Sequence, residues 1–239
     1  MPVRRFLFAS LLSLLTQAAA ATLSITPVTL EINPQRQLMA VTTLTNQGTT
    51  PIEFNAALMR WTQQDGQDVT VPTRDAAVNP VRFTIAPGRS QVVRIGLRTR
   101  PSALQVTYRL LLRQIAQSAP APTPGTDQVQ AAIVPTYVFS LPLFVTQPSA
   151  QENVKASLER TAGGLTLVLN NTGTAHATYR NMTTLLNSEA LNLGSVYVLP
   201  GSTMRVSLPP TLSTAKTLVI HSTDRAQQDH IETLDVPTP

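Results

Sequence analysis

Residues 129–145, VQAAIVPTYVFSLPLFV, carry no charge in seventeen positions and are rich in Val, Ile, Phe and Tyr. That composition predicts a strand, and at about 3.3 Å per residue it would run for roughly 55 Å, far beyond the usual strand of about five or six residues. One face carries Val129, Ala131, Ile133, Pro135, Tyr137, Phe139, Leu141 and Leu143; the other carries Ala132, Val134, Thr136, Val138, Ser140 and Pro142. Both faces are largely apolar. Two prolines that cannot donate to a ladder mark the segment as an edge strand, and an open apolar edge is a template for pairing with another chain. On composition alone the alternative is a core strand that continues into an interdomain linker.

Upstream, Ala116–Asp127 (AQSAPAPTPGTD) is a Pro/Ala loop too polar to pack. Before it, Val106–Ile115 is predicted as a strand, and Gln91–Leu97 alternates Val93, Ile95 and Leu97 inward with Val92, Arg94 and Gly96 outward. Ile52–Trp61 and Leu38–Thr45 are further strands, and Val78–Ile85 leads to the turn at Pro87-Gly88. Leu23–Ile32 changes parity from Leu23 and Ile25 to Leu30 and Ile32, a strand with a break at Pro27. Seven short strands in about 125 residues, separated by turns such as Asn46-Gln47-Gly48 and Asp65-Gly66, predict an immunoglobulin-like sandwich with Trp61 in its core.

After Gln147-Pro148-Ser149 the pattern restarts, with strands at Val154–Leu158, Leu165–Asn170, Ala177–Leu186, Ser195–Leu199, Met204–Leu208 and Thr217–His221 and a polar tail from Asp224. The expected fold class is therefore all-β. The expected division is a leader over residues 1–20, a first domain over 21–147 and a smaller β-sandwich over 148–239.

The leader is read from Arg4 and Arg5, the apolar stretch Phe6–Leu15 and the small residues Ala18-Ala19-Ala20, the three parts of a secretory signal peptide. Its removal lowers the net charge from +5 to +3, too mild to argue for nucleic acid. No later run approaches the roughly 18 apolar residues of a membrane span. The chain has no cysteine, so no disulfide holds it, and core burial has to.

Nucleophile elbows, HExxH, phosphate loops and dinucleotide fingerprints are absent, which argues against an enzyme or a cofactor. His176, His221 and His230 are far apart, and His176, after the turn at Gly173, suits a surface or packing role better than a ligand. Asp65, Asp68 and Asp75 could sit near Glu53, with a solvated loop the safer assignment. The basic residues say more. Arg94, Arg109 and Arg113 lie mid-strand, where an unpaired charge is costly to bury. Either each pairs with a carboxylate of the same chain, or a cation waits in a groove for an anion from a partner, such as a chain's terminal carboxylate.

Taken together, Asn79-Pro80 with Phe83, IAPGRSQVVRIGL at Ile85–Leu97, YRLLLRQI at Tyr108–Ile115, the strand ending SLPLF at 140–144, LTLVLNN at Leu165–Asn171 and YVLPG at Tyr197–Gly201 resemble the periplasmic chaperones of chaperone–usher pilus assembly. The resemblance implies two immunoglobulin-like domains in an L or boomerang, with no catalytic role, no cofactor and no metal. It implies pilus or fimbrial subunits and an outer-membrane usher as partners; self-association of the free form is a further way to cover the edge. In that family the long strand completes a subunit that lacks its last strand. The implied plug is Val129, Ala131, Ile133, Pro135 and Tyr137, with the opposite face, Ala132, Val134 and Val138, as the alternative.

The best-known branch anchors the subunit's terminal carboxylate with an Arg in the first strand and a Lys near the end of the long one. The matching positions here are Thr29 and Pro142, neither charged, so the chain is more similar to the archaic, spore-coat-like branch. The anchor is then expected at Arg109 first, with Arg94 and Arg113 behind it. The competing classes are a two-domain adhesin or carbohydrate-binding module, which would want exposed aromatics on one face, and a secreted hydrolase, which would want converging ionisable groups.

Overall fold

A computed structural model describes residues 23–116, 136–161, 164–186 and 189–238. The leader and four of the five expected plug residues, Val129, Ala131, Ile133 and Pro135, lie outside the described residues.

The first half contributes ten strands: β1 (Leu23–Thr26), β2 (Leu30–Ile32), β3 (Met39–Asn46), β4 (Ile52–Gln64), β5 (Gln67–Pro72), β6 (Ala76–Asn79), β7 (Arg82–Ile85), β8 (Ser90–Leu97), β9 (Gln105–Gln114) and β10 (Val138–Thr146). They form two sheets, β1-β3-β8-β6 and β2-β10-β9-β4-β5, with β7 paired to β4. Alternation sends Phe54, Ala56, Leu58, Leu110, Leu112, Leu141 and Leu143 inward from one sheet to meet Ala40, Leu44, Val93 and Ile95 of the other.

The chain changes sheet between β1 and β2 and again between β6 and β7, and the peptide bonds Thr26–Pro27 and Asn79–Pro80 at these crossings are cis. Proline cannot donate to a ladder, so it suits the place where a chain leaves one. The break expected at Pro27 is thus a change of sheet. Val78–Ile85, expected as one lead-in, is two strands in different sheets.

The second half adds β11 (Val154–Thr161), β12 (Gly164–Asn171), β13 (Ala177–Leu186), β14 (Glu189–Val198), β15 (Thr203–Ser207), β16 (Thr217–Thr223) and β17 (Asp229–Asp235). The sheets are β11-β12-β15 and β14-β13-β16-β17, closed over a core that includes Leu158, Leu167, Leu169, Met182, Val198 and Leu218. The described residues contain a single-turn 3-10 helix at Pro210–Thr214 and no α-helix.

Both sandwiches use the same turn. Asn46 is fully buried and donates to the carbonyls of Thr50 and Ile85 while accepting from Gly48 N–H; Asn171, also fully buried, does the same with Ala175, Val198 and Gly173. A Cβ on Gly173 would lie 2.5 Å from Asn153 N and Gln151 O, which is why the second turn needs glycine.

Trp61 departs from expectation. It is fully buried, but in a separate cluster with Phe144 and Leu199, and Tyr197 packs against it. On β4 the inward row is Ile52, Phe54, Ala56 and Leu58, so Trp61 continues the outward row of Asn55, Ala57 and Met59 and is covered by the second sandwich.

Candidate functional site

β10 pairs with β9 along its whole length, from Val138↔Arg113 to Thr146↔Gln105. On its other side β2 covers only Leu143–Val145, in parallel register. Among the described residues the stretch Val138–Pro142 therefore presents an uncovered edge. Gln114 N–H donates to the Tyr137 carbonyl at 2.9 Å. By the alternation of antiparallel pairs, odd-numbered residues turn their main chain to β9; Val138 and Ser140 turn N–H and C=O outward, and Pro142 only its C=O.

Among the described residues the regular strand begins at Val138; the expected start at Val129 lies outside them. Tyr137 and Val138 are 55% and 53% exposed, and the Tyr137 ring stacks on Phe139 at 6.1 Å between centroids. Phe139 in turn packs against the first core. The expected plug parity is thus the parity whose described members in β10, Phe139, Leu141 and Leu143, enter the first domain's own core.

Arg109 lies on the outward face of the same sheet, directly across from Pro142 on β10 and Met59 on β4. Its guanidinium carbon sits 3.6 Å from the centre of the Trp61 ring, and Nη2 is 3.1 Å from the Asp68 carboxylate, leaving the side chain 15% exposed. Both alternatives for a mid-strand cation thus meet in one residue: Arg109 is internally paired, yet the contact with Asp68 engages one nitrogen of a fork with five N–H donors. Asp68 is not a loop residue but sits on β5, and Asp75 and Glu53 pair with Arg60 and Arg82.

Arg113 lies four residues beyond Arg109 on the same face of β9, exposed, opposite Val138 and Asn55. Arg94 is elsewhere: on β8, in the other sheet, exposed and opposite Val41 and Asn79. The structure brings Arg109 and Arg113 together beside β10 and leaves Arg94 out. Pro142, at the position where the resemblance leads one to look for a lysine, has Arg109 as its cross-strand neighbour.

The junction behind Arg109 holds two glutamines that the sequence did not single out, and it gives His176 the packing role expected of it. The Gln63 amide donates to the Tyr197 carbonyl at 2.8 Å and accepts from Leu199 N–H at 2.9 Å. The Gln105 carbonyl oxygen accepts from His176 N–H at 2.7 Å, so its nitrogen faces His176 Nδ1 at 2.9 Å and donates to it. His176 is buried and lies flat on Phe144, 3.5 Å between ring centres and 4° from parallel. The available signal was phase: Gln63 follows Trp61 on the outward row of β4.

Burial, with smaller contributions from Arg225 and Arg180, pushes the His176 imidazole down to about 3. The unfolded chain binds that proton near pH 6.5. The stabilisation is therefore complete above about pH 6.5 and is lost as pH falls towards 3, by up to about 5 kcal/mol in all and about 2 kcal/mol of it by pH 5. Urea unfolding at pH 7 and pH 5 is expected to show this loss, and His176→Phe should flatten it; an imidazole that titrates near 6.5 in the folded protein by NMR contradicts the assignment.

Among the described residues no group of three His, Cys, Asp or Glu side chains is placed to hold a metal ion, and no helix is long and apolar enough to cross a membrane. Tyr137 is the one aromatic among the exposed large apolar side chains, so an aromatic face of the kind a sugar binder uses is not formed by the described residues.

No family model and no curated protein matches the chain in sequence. Solved structures do match. A chain of the CsuC–CsuE chaperone–tip adhesion subunit pre-assembly complex, from archaic chaperone–usher Csu pili of Acinetobacter baumannii, aligns with a TM-score of 0.68 at 18% identity, over 90% of this chain and 98% of that one. The fold is that of the chaperone–usher pilus chaperones. The E. coli chaperone DraB gives a TM-score of 0.58 at 15% identity over 91% of this chain and 96% of its own. The CupB2 chaperone of Pseudomonas aeruginosa gives 0.57 at 11% over 90% and 100%. The expected pair of β-sandwiches is therefore present, in the chaperone–usher arrangement of sheets.

Proposed function

We propose that the chain is a periplasmic, non-enzymatic chaperone that captures pilus or fimbrial subunits by donor-strand complementation and delivers them to an outer-membrane usher. The observation that carries this reading is the uncovered edge of β10 at Val138–Pro142, in a fold shared with pilus chaperones. A subunit that lacks a strand has orphan main-chain groups and an open core; an apolar strand with a free edge supplies both needs at once.

In this reading the domain over residues 21–147 carries the donor strand and the domain over 148–239 closes the junction. The plug is Val129, Ala131, Ile133, Pro135 and Tyr137, because a strand that continues straight out of its sheet keeps its parity and extends the inward face of Phe139 and Leu141 into the client. Arg109 takes the client's terminal carboxylate, with Arg113 beside it. Residues 1–20 direct export, and no cofactor takes part.

The test uses the main chain itself. Ser140→Pro removes an N–H that points away from β9, so the sandwich should form normally, while capture of a co-expressed pilin-like protein should fall about tenfold, the worth of one hydrogen bond. Leu141→Pro, whose N–H points into the β9 ladder, should instead damage the domain. Undiminished capture by a folded Ser140→Pro chain overturns the reading.

A further inference from the structure

A groove of about 420 Å³ opens at the mouth of the second sandwich, between the start of β11 and the adjoining parts of β13, β16 and β17. Val154 and Ile220 give it an apolar wall, and Glu152, Asp224 and Glu232 line it with carboxylates. Asp224 is already satisfied: it pairs with His230 at 2.9 Å and accepts from Gln228 N–H at 2.9 Å. Arg225, beside it in sequence, reaches out of the domain to Glu31 at 3.1 Å. Glu152 and Glu232 have neither an ion pair nor a side-chain hydrogen bond among the described residues.

A second observation is independent of the carboxylates. Ser222 lines the same groove, on the face of β16 that carries Ile220 and directly across from His230. It is 8% exposed, and its hydroxyl has no hydrogen-bond partner among the described residues. Thr178 Oγ1, which lines the same groove, is buried without a hydrogen-bond partner among the described residues, and leaving such a group unpaired is costly. The cations nearest Glu152, Arg225 and His230, are already engaged by Glu31 and Asp224.

We propose that this groove binds a single alkylammonium or guanidinium group, of the kind a lysine or arginine side chain presents, with Glu152 and Glu232 as counter-charges, Ser222 Oγ as a further acceptor, and the stem along Val154 and Ile220. Such a ligand has an apolar stem and a charged head, which matches a wall of one kind and a lining of the other. The electrostatics agree: burial, and for Glu152 also the neighbouring Asp224, holds both carboxyls above their ordinary range. Burial, then Glu232 and Glu152, pushes the Tyr179 phenol up to about 12, so it stays neutral in the groove wall. A metal ion is a poorer occupant, because no three ligands converge here.

The experiment is an NMR titration of the whole mature chain with a blocked lysine amide, with cadaverine and, as neutral control, with a blocked norleucine amide. Shifts at Glu152, Ile220, Ser222 and Glu232 are expected with the cations and not with norleucine. Glu152→Gln and Glu232→Gln should each weaken binding about tenfold, the effect of a half-buried charge pair, and Ser222→Ala by a smaller factor. Saturation by the lysine amide supports a protein side chain as the source, and by cadaverine alone a free amine. Equal shifts with norleucine, no shift with either cation, or affinities unchanged in both folded Gln variants overturn the proposal.

Discussion

Arg109→Ala is expected to reduce recovery of a client complex by about a hundredfold or more while the chain still folds. A guanidinium that meets a carboxylate in a site closed by Trp61 and Tyr197 forms a charge-assisted pair little screened by water, and truncating one side of such a pair costs roughly 2–5 kcal/mol. Asp68 holds one nitrogen of the fork, which keeps the side chain in place over the indole. Asp68→Asn should therefore keep or strengthen capture, because it removes a competitor. Arg109→Lys keeps the charge and loses both the fork and the stacking, so it should fall between wild type and alanine. Pull-down of a co-expressed subunit with native-state circular dichroism reads both quantities. Undiminished capture by Arg109→Ala removes it from the site and leaves Arg113 as the cation on that face.

Trp61→Ala carries the largest expected effect on stability, about 3–5 kcal/mol for deleting a fully buried aromatic. The loss has a particular location. Trp61 lies 5.9 Å from Phe144 and meets Tyr197 edge-on at 5.7 Å, with Arg109 on its face, so its removal empties the junction and leaves both cores intact. Calorimetry should show the two sandwiches unfolding in separate steps in the variant. A loss below about 1 kcal/mol, in the range of a surface substitution, contradicts this placement.

The sandwiches were legible because period-two alternation is a local signal: Val93, Ile95 and Leu97 of β8, or Leu141 and Leu143 of β10, enter the core that their parity predicts. Sheet membership was not legible. Nothing local says that Leu23–Thr26 and Leu30–Ile32 belong to opposite layers, and the parity change around Pro27 was the trace of it. The site was read by half. The mid-strand position of Arg109 drew attention to it, but its partners Asp68 and Trp61 stand far away in sequence, and only the pairing of β4 with β5 and β9 brings them together. The acidic groove was missed because Glu152, Ser222 and Glu232 sit on three separate segments with no spacing to relate them.

Gln63 and Gln105 are the two carboxamides that span the junction. Each fastens one half of the molecule to the other by giving and taking with the same planar group. Glutamate could only take and lysine only give, so either replacement would undo one of the two bonds at its site. The contact between the two sandwiches thus depends on the directionality of two carboxamides, and a chain that swaps either for a charged side chain of similar reach should keep both sandwiches and lose one of the bonds that join them.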